Sequence, residues 1–291
     1  MLEFKIEWFL GLIMIESALV SCEWLAQNLD AENQLILDAT FFLPRQHRNA
    51  EKEYLQQHLP DARFFDIDKV ADLSHSLSHM LPSADDFADA VGKMGIANHT
   101  RVLIYDNNHF FAAARVWWMF RVFGHDRVQI IDGGLARWKQ LNLPINSDQP
   151  APISKSFKAR YHPELVFDLK QMLLAQTSKS RQIIDARSAD SFLGQRKLAD
   201  NALQAGHIPG SINLPYAQLT TSLEQTLLSD KALKSVFDQA HVDTSFPIVT
   251  TCGSGVSACV LALALYQLGV KDIPVYDGSW AEWGREEHAP K

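Results

Sequence analysis

One cysteine in this chain has the surroundings of a nucleophile. The run Thr250-Thr251-Cys252-Gly253-Ser254-Gly255-Val256-Ser257-Ala258 joins a strand-like stretch, Phe246 to Thr251, to a helical run from Val256 to Leu268. A cysteine at that junction lies in a loop whose backbone N–H groups turn inward at the positive end of the next helix. Such a setting favours thiolate over thiol, and the thiolate is the nucleophile. The small residues let the backbone curl round an anionic atom without steric cost. Cys259, two helical turns on amid Ala, Val and Leu, reads instead as an inert core thiol. Neither cysteine has a Cys-x-x-Cys partner or a His at ligand spacing, so neither a metal nor a cofactor is expected.

The elements that must hold this loop come from a chain of 291 residues, 47% hydrophobic, long enough for two domains with full cores. A net charge of −7 excludes a general nucleic-acid binder. Three cysteines imply no disulfide framework and suit a reducing, cytoplasmic setting. No stretch is long enough to span a bilayer. The apolar Met1 to Ile15 and the run Leu19-Val20-Ser21-Cys22 resemble a lipoprotein signal. Against that, Glu3, Glu7 and Glu16 interrupt the segment, and Ser21 reads as the N-cap of a helix through Leu29. Residues 1–13 read as an extension, with Met14 as an alternative start.

The chain also repeats itself at an offset of about 145 residues. Val102 to Asp106, a helix ending at Gly124, then Asp132-Gly133-Gly134 and Trp138 form one pattern. Ile248 to Cys252, a helix ending at Gly269, then Asp277-Gly278-Ser279 and Trp283 form its counterpart. Leu35 to Ala39 answers Gln182 to Ala186, and His58-Leu59-Pro60 answers His207-Ile208-Pro209. Each half alternates short apolar strands with amphipathic helices, predicting an α/β fold with two mostly parallel sheets covered by helices. The domains are placed at 18–145 and 160–291, joined by a Pro- and Ser-rich linker around Asn146 to Lys158. Helices are predicted at Val20–Leu29, Ala84–Met94 and Ala112–Phe123, then at Leu165–Ala175, Lys231–Ala240 and Val256–Leu268. In the first copy Asp106 holds the cysteine's position. Aspartate is no sulfur nucleophile, so that copy is expected to be inactive and to wall the pocket of the second.

Two such domains with one cysteine loop resemble the tandem rhodanese sulfurtransferases over about residues 18 to 285. The resemblance is carried by Phe64 to Asp68, His79 to Pro82, Arg115 to Arg121, Asp185-Ala186-Arg187, Gly206 to Gly210 and Tyr276 to Trp280. The loop is similar to that of the family's 3-mercaptopyruvate branch, and Gly253 and Ser254 are neutral where the thiosulfate branch places cations. The resemblance implies sulfur transfer from 3-mercaptopyruvate through a Cys252 persulfide, with thioredoxin or a small thiol as acceptor and a monomer as the working unit. It implies Arg187 and Arg196 as grips for the donor's carboxylate and ketone, as fork-shaped cations suit such oxygens. The segment before Arg196 is shorter than the family pattern. Gly253, Gly255, Val256 and Ser257 would line the donor site. Ser254, His79 and Asp68 map onto a proton relay. Spacing alone leaves Asp66 and Asp68 as alternatives. Arg187 is the better-supported grip of the two arginines, its alternative being the buried ion-pair partner of an aspartate. Trp117, Trp118 and Phe120 read as core or interface packing.

Three rival readings separate on the same residues. A cysteine phosphatase needs an Arg six positions after its Cys, and Ala258 stands there. A non-catalytic scaffold would not keep the Cys252 loop intact. A neutral loop argues against a thiosulfate-preferring enzyme, a thiosulfate:cyanide sulfurtransferase, and leaves thiosulfate turnover as an expected weak side activity.

Overall fold

Short runs of apolar residues, too brief for helices and bounded by Gly, Pro and Asp, form two five-stranded sheets with every strand pair parallel. The computed structural model describes residues 17–151, 153–196 and 203–285, so the extension read at residues 1–13 lies outside it. The first sheet holds β1 (Leu19–Ser21), β2 (Gln34–Asp38), β3 (Arg63–Phe64), β4 (Arg101–Tyr105) and β5 (Val128–Asp132), in the order β1-β5-β4-β2-β3. The second holds β6 (Val166–Phe167), β7 (Gln182–Asp185), β8 (Ile212–Asn213), β9 (Ile248–Thr251) and β10 (Val275–Tyr276), in the order β6-β10-β9-β7-β8. The two orders are the same permutation, the structural counterpart of the repeat in the sequence. Helices α1 (Cys22–Ala26), α2 (Ala50–Gln56), α3 (Ala84–Lys93), α4 (Ala113–Val122) and α5 (Gly134–Gln140) flank the first sheet. Helices α6 (Leu169–Ser178), α7 (Ala189–Phe192), α8 (Asp230–Gln239), α9 (Ala258–Gln267) and α10 (Ser279–Trp283) belong to the second.

Capping fixes where the helices start, and here the structure departs from the sequence reading. The helix expected from Val20 begins only at Cys22, because Leu19 to Ser21 pair with Ile130 to Asp132 at the sheet edge. Ser21 then caps α1, its hydroxyl accepting from the Trp24 N–H at 3.0 Å. The helix expected from Leu165 begins at Leu169. Val166 and Phe167 are drawn into pairing with β10, and Asp168 and Gln171 close a capping box at 2.7 and 2.9 Å. Cys22 is buried, its Sγ 3.4 Å from the Asp132 carbonyl, and burial foremost pushes its thiol up to about 12.

Helices α4 and α9 are apolar nearly all round, and each is the element entered directly from a cradle position, Asp106 or Cys252. A helix apolar on every face must be buried on every face. They satisfy this by packing on each other, with Trp117 and Tyr266 edge to face at 5.2 Å, inside a core continuous through both halves. Both loops are thereby brought to the interface between the sheets. The segment expected to be a free linker is instead strapped to the first half. Asn146 pairs with His58, Lys155 donates to the Gly92 carbonyl, and Arg160 and His162 donate to Phe123 and Val122. A Cβ at Gly92 would lie 2.6 Å from the Lys155 oxygen, so the strap depends on that glycine.

Asp38, at the end of β2, gives the fold a testable pH dependence. Its side chain is buried with Thr40 and Tyr105 as its hydrogen-bond partners among the described residues, and burial raises its carboxyl to about 6. A carboxyl raised on folding binds its proton more tightly in the native state, so it costs stability as pH rises from the unfolded value through 6. Asp38→Asn keeps the acceptor for the Thr40 N–H. It is expected to stabilise the protein by roughly 2 kcal/mol more at pH 7.5 than at pH 4.5. Denaturant titrations of both proteins at the two pH values measure this, and an equal difference at both would show that Asp38 is not buried as a charge.

Candidate active site

Strand β9 runs in the middle of its sheet and delivers Cys252 at its C-terminal end, with α9 starting six residues on. The thiol-bearing residue is only 1% exposed. The chain curls at Gly255, which has φ +73°, and a Cβ there would lie 2.6 Å from the Asp277 carbonyl oxygen. Only glycine takes that turn at that approach without strain. Gly253 is the opposite case: it is exposed, and a Cβ there would meet nothing. The loop therefore opens outward at Gly253 and closes inward at Gly255.

Beneath the loop sits Ser279, fully buried at the start of α10. Its hydroxyl donates to the Tyr276 carbonyl at 2.7 Å and accepts from the N–H groups of Cys252 at 3.2 Å and Gly255 at 3.0 Å. In the sequence Asp277-Gly278-Ser279 stands out as part of the repeat, and this fastening is not legible there. A serine hydroxyl can bridge two N–H groups and one carbonyl at once, but nothing local announces that those groups lie 24 and 27 residues upstream. With Cys252 and Gly255 tied down, the N–H groups of Gly253, Ser254, Val256, Ser257 and Ala258 have no protein acceptor among the described residues. They are the donors an anionic sulfur can use.

The first copy displays what such a loop holds. Asp106 Oδ1 accepts from the N–H groups of Asn108 and Phe110 at 3.0 and 3.1 Å, and Oδ2 from those of Ala112 and Ala113 at 3.0 Å each. The equivalent positions after Cys252 are Ser254, Val256, Ala258 and Cys259. His109 and Phe110 keep the left-handed curl at φ 55° and 62° without glycine. A two-atom anionic group thus fills one cradle from within, while the other cradle carries a thiol. Burial still pushes the Asp106 carboxyl up despite these bonds.

Three residues expected to act together meet at the mouth of the loop. His79 Nδ1 lies 3.3 Å from Ser254 Oγ, and its Nε2 lies 2.8 Å from Asp68 Oδ1. An ionised carboxylate only accepts, so in the neutral imidazole Nε2 carries the proton and Nδ1 accepts from the serine hydroxyl. The hydrogen bond to His79 foremost holds the Asp68 carboxyl below the usual carboxylate range. Asp66, the alternative, instead pairs with Lys69 at 3.0 Å and accepts from the Asp68 N–H. Phe41 stands edge-on to His79 at 5.2 Å and stacks with Phe111, so the first half supplies a wall beside the loop.

The two arginines are placed differently from the expectation of paired grips. Arg187 spends Nε and Nη2 on the fully buried Asp185 carboxylate at 2.9 and 2.6 Å, and Nη2 also donates to the Gly206 carbonyl at 3.0 Å. Its guanidinium lies 4.6 Å over the Trp280 ring. A carboxylate without solvent demands a charged partner, so a two-pronged hold on a donor is not available. Nη1 is the nitrogen with no acceptor among the described residues. Arg196 is half-buried beyond α7. The Asp190 carboxyl nearby is lowered first by the Ser188 hydroxyl, with the Arg196 charge contributing less. Among the described residues it makes no hydrogen bond or ion pair with the Cys252 loop, and residues 197–202, which follow it, lie outside those described. Val256 and Ser257 are buried at the head of α9 and offer backbone rather than side chains. Cys259 is buried with its Sγ 3.3 Å from the Gly255 carbonyl, and burial drives its thiol far upward. Among the described residues, no group of three His, Cys, Asp or Glu could hold a metal, and no helix is long and apolar enough to cross a membrane.

Comparison with known proteins places the chain in a family. The Rhodanese-like domain family matches the chain twice, at residues 21–141 and 168–286. The chain is 40% identical over 272 residues to 3-mercaptopyruvate sulfurtransferase of Mus musculus, covering 91% of each. It is also 40% identical over 273 residues to thiosulfate sulfurtransferase of Bos taurus, again covering 91% of each. The crystal structure of the 3-mercaptopyruvate sulfotransferase SseA from Escherichia coli superposes with a TM-score of 0.83 at 37% identity, covering 91% of this chain and all of that one.

Proposed function

The chain belongs to the rhodanese-like family, and from that membership and the loop geometry we propose that it is a sulfurtransferase drawing on 3-mercaptopyruvate. Cys252 takes the donor's sulfur as a persulfide and passes it to a thiol or to cyanide. Relatives named for mercaptopyruvate and for thiosulfate are alike 40% identical, so identity does not choose the donor and local chemistry is asked to. The observation that carries it is the Ser254–His79–Asp68 chain beside a loop with no cation at Gly253 or Ser254. A thiol donor has a proton to lose and its leaving group has a proton to gain. Thiosulfate has neither need, and its two charges favour cations.

The steps balance on these residues. The Cys252 thiolate attacks the donor sulfur, the S–S bond forms, the C–S bond breaks, and the electron pair leaves with pyruvate as its enolate. The proton that began on the donor's sulfur ends on the enolate carbon, so proton uptake and release cancel. Ser254 and His79 lie where one route can serve both transfers. The free N–H groups of the loop stabilise the persulfide anion, as the first copy's amides hold the Asp106 carboxylate. Arg187 Nη1 offers one contact to the donor's carboxylate, and Arg196 remains a candidate for a second. An incoming thiolate, from thioredoxin or a small thiol, then attacks the outer sulfur and releases the Cys252 thiolate.

Intact-protein mass after brief exposure to each donor tests this reading. One added sulfur atom, gained faster from 3-mercaptopyruvate than from thiosulfate, is the expected result. Faster gain from thiosulfate overturns the donor assignment, and no gain from either overturns sulfur transfer by this chain.

A further inference from the structure

Arg115, on the first turn of α4, is a guanidinium only 1% exposed that reaches across the interface between the two halves. Its Nη2 donates to the backbone carbonyl of His79 at 2.5 Å. Its Nη1 donates to the Gly255 carbonyl at 3.3 Å and lies 2.7 Å from Asp277 Oδ1. The other oxygen of Asp277 accepts from the Leu81 N–H at 2.8 Å. The Trp118 ring packs beneath the guanidinium at 4.6 Å. Arg115 and Asp277, the latter in the turn after β10, thus gather three further points: two in the 79–81 stretch and one in the cysteine loop.

What these points share is need. His79 has φ +65°, a conformation that costs a non-glycine residue energy and persists only where its surroundings impose it. Its ring must hold Nδ1 on Ser254, a residue of the other half, and no covalent link nearby sets that register. The fork of an arginine has the fixed geometry to satisfy a carbonyl and a carboxylate together, which a lysine lacks. A fully buried charge pair is also a poor choice for stability alone, since well-packed apolar residues of similar volume do as well or better.

We propose that Arg115 is a positioning residue that sets His79 in register with the Cys252 loop across the domain interface. Rather than touching the donor, it fixes the backbone on which the proton carrier is mounted. The proposal rests on the reading of His79 as that carrier. Its signature is non-additivity, because a residue acting through His79 has nothing left to do once the imidazole is gone.

The test is a double-mutant cycle with Arg115→Lys and His79→Ala, reading kcat and KM for 3-mercaptopyruvate with thermal melts alongside. Arg115→Lys is expected to lower kcat by roughly 10- to 100-fold with KM changed by less than about 3-fold, and to cost under about 2-fold in the His79→Ala background. Should Arg115→Lys fail to fold, Asp277→Asn serves in its place. That variant removes the charge that pairs with Arg115 but keeps the side chain's volume and an oxygen for the Leu81 N–H, and a smaller loss that also vanishes without His79 is expected. Equal losses in both backgrounds overturn the role of Arg115 and leave the relay standing. If His79→Ala itself turns over 3-mercaptopyruvate at the wild-type rate, the relay reading and this proposal fall together.

Discussion

Replacing Cys252 by serine is expected to lower sulfur transfer from 3-mercaptopyruvate and from thiosulfate alike, by about 10⁴-fold or more. Every step of the proposed cycle passes through the sulfur of this residue. A hydroxyl is both far harder to ionise and unable to carry a second sulfur as a stable persulfide. The substitution adds no atom, and the loop is held by Ser279 through backbone N–H groups, so the cradle is expected to survive it. Cys22→Ser and Cys259→Ser are the controls, since both thiols are buried against carbonyls and pushed upward by burial. Both should gain the mass of one sulfur as the wild type does. Single-turnover pyruvate release together with intact mass reads all three variants. Residual turnover in Cys252→Ser within a hundredfold of wild type would falsify the persulfide route.

How much of this could be read beforehand depended on how far the deciding contact lay along the chain. The Cys252 loop was legible because strand, small residues and helix follow one another within a few residues. The two parallel sheets were legible because a buried strand is a short apolar run whatever it pairs with. Helix starts were misplaced where a competing partner lay elsewhere. Nothing near Val20 says that Ile131 will claim it for a sheet, nor that Tyr276 will claim Phe167. Arg115 was visible only as one residue of an aromatic-rich motif, because its acceptors lie 36 and 140 residues away. Arg187 shows the reverse case. Its competition with Asp185 was foreseeable from the Asp-Ala-Arg spacing, but only burial of that carboxylate decides that the fork closes inward.

The sharpest contrast between donors is expected from His79→Ala, which should lower kcat with 3-mercaptopyruvate by about 10²- to 10³-fold while leaving sulfur loading from thiosulfate within about 3-fold of wild type. The argument is one of proton accounting. With the thiol donor, a proton must leave sulfur and one must reach carbon, and among the described residues the imidazole is in hydrogen-bond contact with both the loop hydroxyl and an orienting carboxylate. With thiosulfate, the S–S bond is cleaved to sulfite with no proton in the transition, so the same imidazole has no work to do. Asp68→Asn should cost far less, about 10-fold, because that side chain is 59% exposed and water can replace part of its orienting bond. Its carboxyl is held below the usual range by His79, so the orienting charge persists as pH falls and is lost only below the ordinary carboxylate value. Acid loss of activity that begins well above that value therefore belongs to another group. Paired rate measurements with the two donors settle the matter: an equal fall with both would mean that His79 shapes the pocket rather than moving a proton.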